Sequence, residues 1–184
     1  MKSGSRSPNI LPSVIDSRHL HFFLHRSLMV VVPYDRAKAR SEMLALFKPL
    51  VSDPTALSTP ERHLSTLANL AASLPPPLKP TKAQLSIPHY YGLDLIASPS
   101  LRDRLISVGA DMAQQFVNDW CLCKGESNED AGQLIIWGDD PLNEMAWEFS
   151  REMLDRWGWL LGREWASRAN FWRRQRGVGP LPEW

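Results

Sequence analysis

The 184 residues suit one domain, or one domain with an arm, and 43% apolar against 22% charged residues is the composition of a chain that buries a core. A net charge of +1 excludes a global field that would recruit nucleic acid or an anionic membrane. Only two cysteines are present, Cys121 and Cys123, which excludes a disulfide scaffold and fits a reducing compartment.

Residues 1–13 are rich in Ser, Pro and Gly and read as a disordered arm. Residues 20–32 are apolar but carry His21, His25 and Arg26, too short and polar a run to span a bilayer or act as a signal peptide. The protein is therefore expected to be soluble and intracellular. Within that run Leu20, Phe23, Leu24 and Leu28 fit a helix and residues 29–32 fit a strand. Asp35 is placed to cap a helix reaching about Leu50, with Met43, Leu44 and Phe47 on one face. Thr59-Pro60 opens a second helix, and Leu64, Leu67, Ala68 and Ala71 repeat along it at helical spacing. Prolines 75–77 and Pro80 stop that helix and form a stiff connector, the expected boundary between a part spanning residues 14–80 and a domain spanning 81–177. Residues 178–184 read as a tail.

Residues 81–98 look irregular, with Pro88 and Gly92 inside them. Ser98-Pro99 starts another helix, and Leu101, Leu105, Val108, Met112, Phe116 and Trp120 form one amphipathic stripe ending at Lys124-Gly125. After a polar loop, residues 134–137 suit a small strand, and residues 138–141 a turn. Ser150 caps the last helix, whose buried face is Met153, Leu154, Trp157, Leu160, Leu161 and Trp165 and whose stop is Gly177. The expected fold is all-α or helix-dominated: a compact helical domain of four to five helices with at most a minor strand element.

Three blocks carry a resemblance. The first is PTKAQLSIPH over residues 80–89, continuing through LDLI at 93–96 and LRDRLI at 101–106. The second is LIIWGD at 134–139, Trp147-Glu148, and LDRWGWLL at 154–161; the third is NFWRRQRG at 170–177. In this order the set resembles the fungal domain of unknown function that follows the basic leucine zipper in fungal transcription factors of that type. The basic region and leucine heptads of such proteins have no counterpart here, the nearest segment being RAKAR at 36–40. Residues 137–142 read WGDDPL where the family reads Trp-Gly-Asp-Pro-Trp, and Asp94 is not followed at once by the family's proline. The resemblance thus implies the domain, and not direct binding of nucleic acid.

Eight tryptophans are several times ordinary usage. Core packing accounts for most of them, since an indole buries a large area. A cavity with aromatic walls is the functional alternative, lined by Tyr90, Tyr91, Trp120, Trp137, Trp147 and Trp157, with Asp94 and Glu148 orienting a ligand. His89 and Arg102 are the candidate catalytic groups, His89 as acid or base. Asp139 is a further polar residue of these blocks. Trp157 and Trp159 lie on different sides of a helix, so at least one faces a surface or pocket mouth. No metal is expected, because Cys121-x-Cys123 lacks a second pair and His19, His21 and His25 lack partners. No phosphate loop, dinucleotide fingerprint or nucleophile elbow is present, so no cofactor is expected.

Two readings follow. The first is a cofactor-independent cyclase or pericyclase of the Diels–Alder type, acting on an apolar secondary-metabolite precursor. Holding reacting ends together supplies about 7–11 kcal/mol in the best cases. His89, Arg102 or an indole N–H would then donate to a substrate carbonyl. The second is a regulatory or protein-interaction domain that does not itself bind DNA, nuclear rather than cytoplasmic. A homodimer fits either.

Overall fold

The computed structural model describes residues 32–121 and 133–182. The expectations for the N-terminal arm, for the segment containing His19, His21 and His25, for the loop after Lys124 and for Trp184 lie outside these residues. The unit that begins at Val32 is helix-dominated, with one small two-stranded antiparallel sheet. Eight α-helices are present among the described residues, where four to five were expected. Local breaks that a hydrophobic stripe does not register account for the difference.

Asp35 caps α1 (Arg36–Leu46), its Oδ1 accepting from the backbone N–H groups of Ala37 and Lys38. The helix does not continue to Leu50, because Pro49 has no N–H to extend the ladder; a separate turn, α2 (Lys48–Val51), follows. Asp53 caps α3 (Pro54–Ser58). Next comes α4 (Pro60–Leu70), opened by proline at its first position as expected. Its buried residues are His63 and Leu67, so Ala68 of the expected apolar face is exposed.

The proline connector separates helices without separating cores. Leu74, before its 3-10 turn (Pro76–Leu78), and Leu78, the last residue of that turn, are buried in the same cluster as Leu67 and Leu101. Residues 81–98 are irregular, as expected, with one 3-10 turn at Tyr91–Leu93. Ser98 caps α5 (Pro99–Ser107) by accepting from the Leu101 N–H. The single stripe expected to reach Trp120 is broken at Gly109, beyond which α6 (Ala110–Cys121) starts.

Strand β1 (Leu134–Ile136) pairs antiparallel with β2 (Trp147–Phe149), Leu134 opposite Phe149 and Ile136 opposite Trp147. Residues 147–149 are buried on both faces, so they lack the alternation that marks a strand in sequence. Ser150 caps α7 (Arg151–Leu161) through the Met153 N–H. The last helix of the sequence reading is in fact two, because Gly162 at φ 82° and ψ 171° interrupts it before α8 (Arg163–Gln175). That backbone region is open essentially to glycine alone. Arg104 of α5 clamps the break, donating to the Leu160 and Leu161 carbonyls and pairing with Glu164. Helix α8 packs on β2 and on α7, which closes the aromatic core.

Candidate functional site

The nominated residues fall into three groups. The first gathers around Asp94, which lies just after the Tyr91–Leu93 turn and is completely buried. Its Oδ2 is 2.7 Å from His63 Nε2, and its Oδ1 is 2.9 Å from His89 Nε2. The Gln84 amide donates to Oδ1 at 2.6 Å, and Gln84 Oε1 accepts from Arg102 Nε at 2.7 Å. The remaining Arg102 bonds go to the carbonyls of Pro77 (2.8 Å), Ile96 (2.5 Å) and Lys79 (2.6 Å). The guanidinium therefore joins the proline connector, at Pro77 and Lys79, to α5 and, through Gln84, to the carboxylate.

Four segments converge here: α4 supplies His63, residues 81–89 supply Gln84 and His89, the 3-10 turn delivers Asp94, and α5 supplies Arg102. His89 is a reach between two acceptors. Its Nδ1 lies 2.7 Å from the Ile87 carbonyl and its Nε2 2.9 Å from the Asp94 carboxylate, an arrangement that favours the protonated ring, which donates from both nitrogens. Burial opposes that charge, but the hydrogen bond and attraction of Asp94 outweigh it and raise the His89 pKa. Burial likewise opposes the Asp94 charge, and the bonds from His63 and His89 prevail, holding its carboxyl below the usual range. Burial pulls the Arg102 pKa down to about 10, with Asp94 opposing the shift. The two imidazole rings pack with centroids 4.8 Å apart.

Tyr90 and Tyr91 flank the cluster and contact each other edge-on at 4.7 Å. Between the inward-pinned Gln84 and His89, residues 85–88 are all exposed, with Leu85 at 39% and Ile87 at 46%.

The second group is the aromatic core. Phe116 meets Trp120, Phe149 and Trp157 edge-to-face, and Trp147 and Trp165 close the cluster from β2 and α8. Trp147 and Trp157 are fully buried, with their indole N–H groups donated to the Pro141 carbonyl and to Asp119. Trp159 is 63% exposed, so one member of the Trp157–Trp159 pair faces outward as the helical spacing required.

The third group is Trp137 and Glu148. The buried Glu148 accepts from Trp137 Nε1 at 2.9 Å and from Arg176 at 2.5 Å, and Trp137 stacks on Trp172. Asp139 is exposed in the turn.

Thus His89, Asp94 and Arg102 come together with Tyr90 and Tyr91 beside them, whereas Trp120, Trp147 and Trp157 belong to the aromatic core and Trp137 and Glu148 to a separate ion pair. Sequence reasoning missed His63 and Gln84. His63 lies 31 residues before Asp94 on a helix whose aliphatic repeat draws the eye elsewhere. Gln84 is a completely buried amide within a stretch that otherwise reads as loop.

No helix among the described residues is long and apolar enough to cross a membrane. A family model described as a domain of unknown function, DUF3425, matches residues 58–169. The match begins within α3 and includes all five residues of the Asp94 cluster. No curated protein and no solved structure matches the chain.

Proposed function

We infer, for a chain that belongs to the DUF3425 family, a regulatory protein-interaction module that recognises a partner through the loop at residues 85–88 and does not itself read DNA. The observation that carries this reading is the loop's construction. Two large apolar side chains, Leu85 and Ile87, face solvent between residues pinned to a buried ionic cluster on either side. Exposed apolar residues on a pre-ordered backbone are what a docking segment needs, since little ordering entropy is lost on binding. The resemblance to fungal domains that accompany a basic leucine zipper supports a setting in transcription control, and hence in the nucleus.

A cofactor-free cyclase would require His89, Arg102 or an indole N–H to face a substrate. Both His89 nitrogens, four Arg102 N–H groups and the indoles of Trp137, Trp147 and Trp157 are held by internal acceptors. The interaction reading asks for no such rearrangement and is preferred.

The test is a reporter driven by a full-length regulator containing the same domain, with this chain co-expressed. The Leu85→Glu/Ile87→Glu double variant is expected to abolish the chain's effect on reporter output while keeping the wild-type melting temperature. Undiminished activity of a folded double variant would remove the basis of the proposal.

A further inference from the structure

We propose that His63, His89 and Asp94 form a binding site for one first-row divalent cation of the zinc class, with two imidazole nitrogens and one carboxylate oxygen as ligands. The inference is independent of the partner-binding reading. Three observations carry it.

The first is convergence. One ligand atom from each of the three residues lies within 4.8 Å of the other two, although the residues come from α4, the loop and the 3-10 turn. Their side chains are 6%, 3% and 0% exposed, so the groups are directed at one another and away from water. Imidazole and carboxylate together suit zinc and its first-row neighbours.

The second is the outer layer. A ligating histidine ordinarily donates its other ring N–H to a carbonyl or carboxylate, which fixes the tautomer. His89 Nδ1 already meets the Ile87 carbonyl at 2.7 Å, leaving Nε2 as the ligand nitrogen. Asp94 is in turn oriented by Gln84, and Gln84 by Arg102.

The third is charge. The cluster places a carboxylate where it demands a cation at the His89 Nε2 position. A proton satisfies that demand, and a metal ion replaces it. On binding, His89 gives up its Nε2 hydrogen to solvent and keeps the one on Nδ1, His63 keeps a single hydrogen on its own Nδ1, and the Nε2 lone pair of each ring binds the ion. Zinc bonds near 2.0–2.2 Å imply tetrahedral ligand separations of about 3.3 Å. The histidine already bonded to the ligating oxygen, at 2.7 Å on Oδ2 or 2.9 Å on Oδ1, moves out by roughly half an ångström, and the wider pairs, all within 4.8 Å, draw in toward that separation. Three protein ligands leave one coordination position for water or an anionic group.

The experiment uses the full chain, stripped with chelator and titrated with Zn2+ or Co2+ alone. One equivalent per chain is expected by elemental mass spectrometry. X-ray absorption of the zinc-loaded wild type is expected to show two imidazoles with oxygen and no sulfur. His63→Gln and His89→Gln should each weaken binding by about 100-fold, at or above the loss typical of outer-layer changes. A His19→Ala/His21→Ala/His25→Ala variant should bind as the wild type does. Sub-stoichiometric zinc, sulfur in the coordination shell, or binding lost only in the triple variant would each overturn the proposal. Should the glutamine variants fail to fold, the absorption spectrum of the wild type and undiminished zinc binding by the triple variant decide together.

Discussion

Arg102 has no exposure, yet it is a guanidinium in an apolar interior, and such a group is tolerated only when its N–H groups are met. Here the acceptors are three backbone carbonyls and Gln84, arranged in different directions. A lysine ammonium is compact and cannot reproduce that fork. Arg102→Lys is therefore expected to destabilise the fold by about 3–5 kcal/mol, the range for breaking a buried charged network. Urea-induced unfolding, read as a shift of midpoint at constant slope, measures it. A midpoint within error of the wild type would mean that the carbonyls find other donors. The sequence marks this residue as a polar group of the family-like blocks without giving its partners: LRDRLI shows an arginine on a helix, and only the fold shows that it points into the connector. His63 was not legible at all, because its partner is set by tertiary folding and no spacing encodes it.

At the scale of elements, the local signals were the readable ones. Asp35, Ser98-Pro99 and Ser150 start helices through side chains that meet the first free backbone N–H groups, a short-range rule that sequence states directly. Helix ends were misread where an apolar stripe runs through a break. At Gly162 the repeat of Leu160, Leu161 and Trp165 looks continuous, but the chain turns at a positive φ. An added Cβ there would approach Glu164 Oε2 to 2.7 Å and Arg104 to 3.2 Å, in a backbone region that side chains avoid. Gly162→Ala is expected to cost about 1–3 kcal/mol. Its signature would be a lower melting temperature with unchanged helical circular dichroism at low temperature. Strand β2 escaped notice for a related reason, since burial on both faces erases alternation.

For the whole molecule, the expected division at residue 80 meets a specific difficulty. The putting-together of the Asp94 cluster draws on both sides of the connector: His63, Pro77 and Lys79 before residue 80, and Gln84, His89, Asp94 and Arg102 after it. Leu67, Leu74 and Leu78 are also buried against the later helices' core. Each leucine contributes about 1.5–3 kcal/mol. Their combined loss is comparable with the entire stability of a domain, about 5–15 kcal/mol. A fragment of residues 81–184 is accordingly expected to lack cooperative unfolding, whereas the full chain shows it. A sharp thermal transition in that fragment would restore the boundary at the prolines. The helix-dominated class was legible because periodicity and proline starts sum over many residues. The burial of Leu67, Leu74 and Leu78 in one cluster with Leu101 was not, because a proline run marks a stiff segment equally well whether it links two bodies or lies packed within one.

The tryptophans, finally, give the molecule an optical readout of its own state. Trp147, Trp157 and Trp165 are sequestered, while Trp159, whose ring centroid lies 6.2 Å from that of Trp157, is 63% exposed. Emission from the native protein should therefore contain a blue, collisionally protected component and a red one open to a soluble quencher such as iodide. Trp159→Phe should remove much of the quenchable fraction and leave the blue component in place. Time-resolved intensity would then follow the opening of the aromatic core without any attached dye.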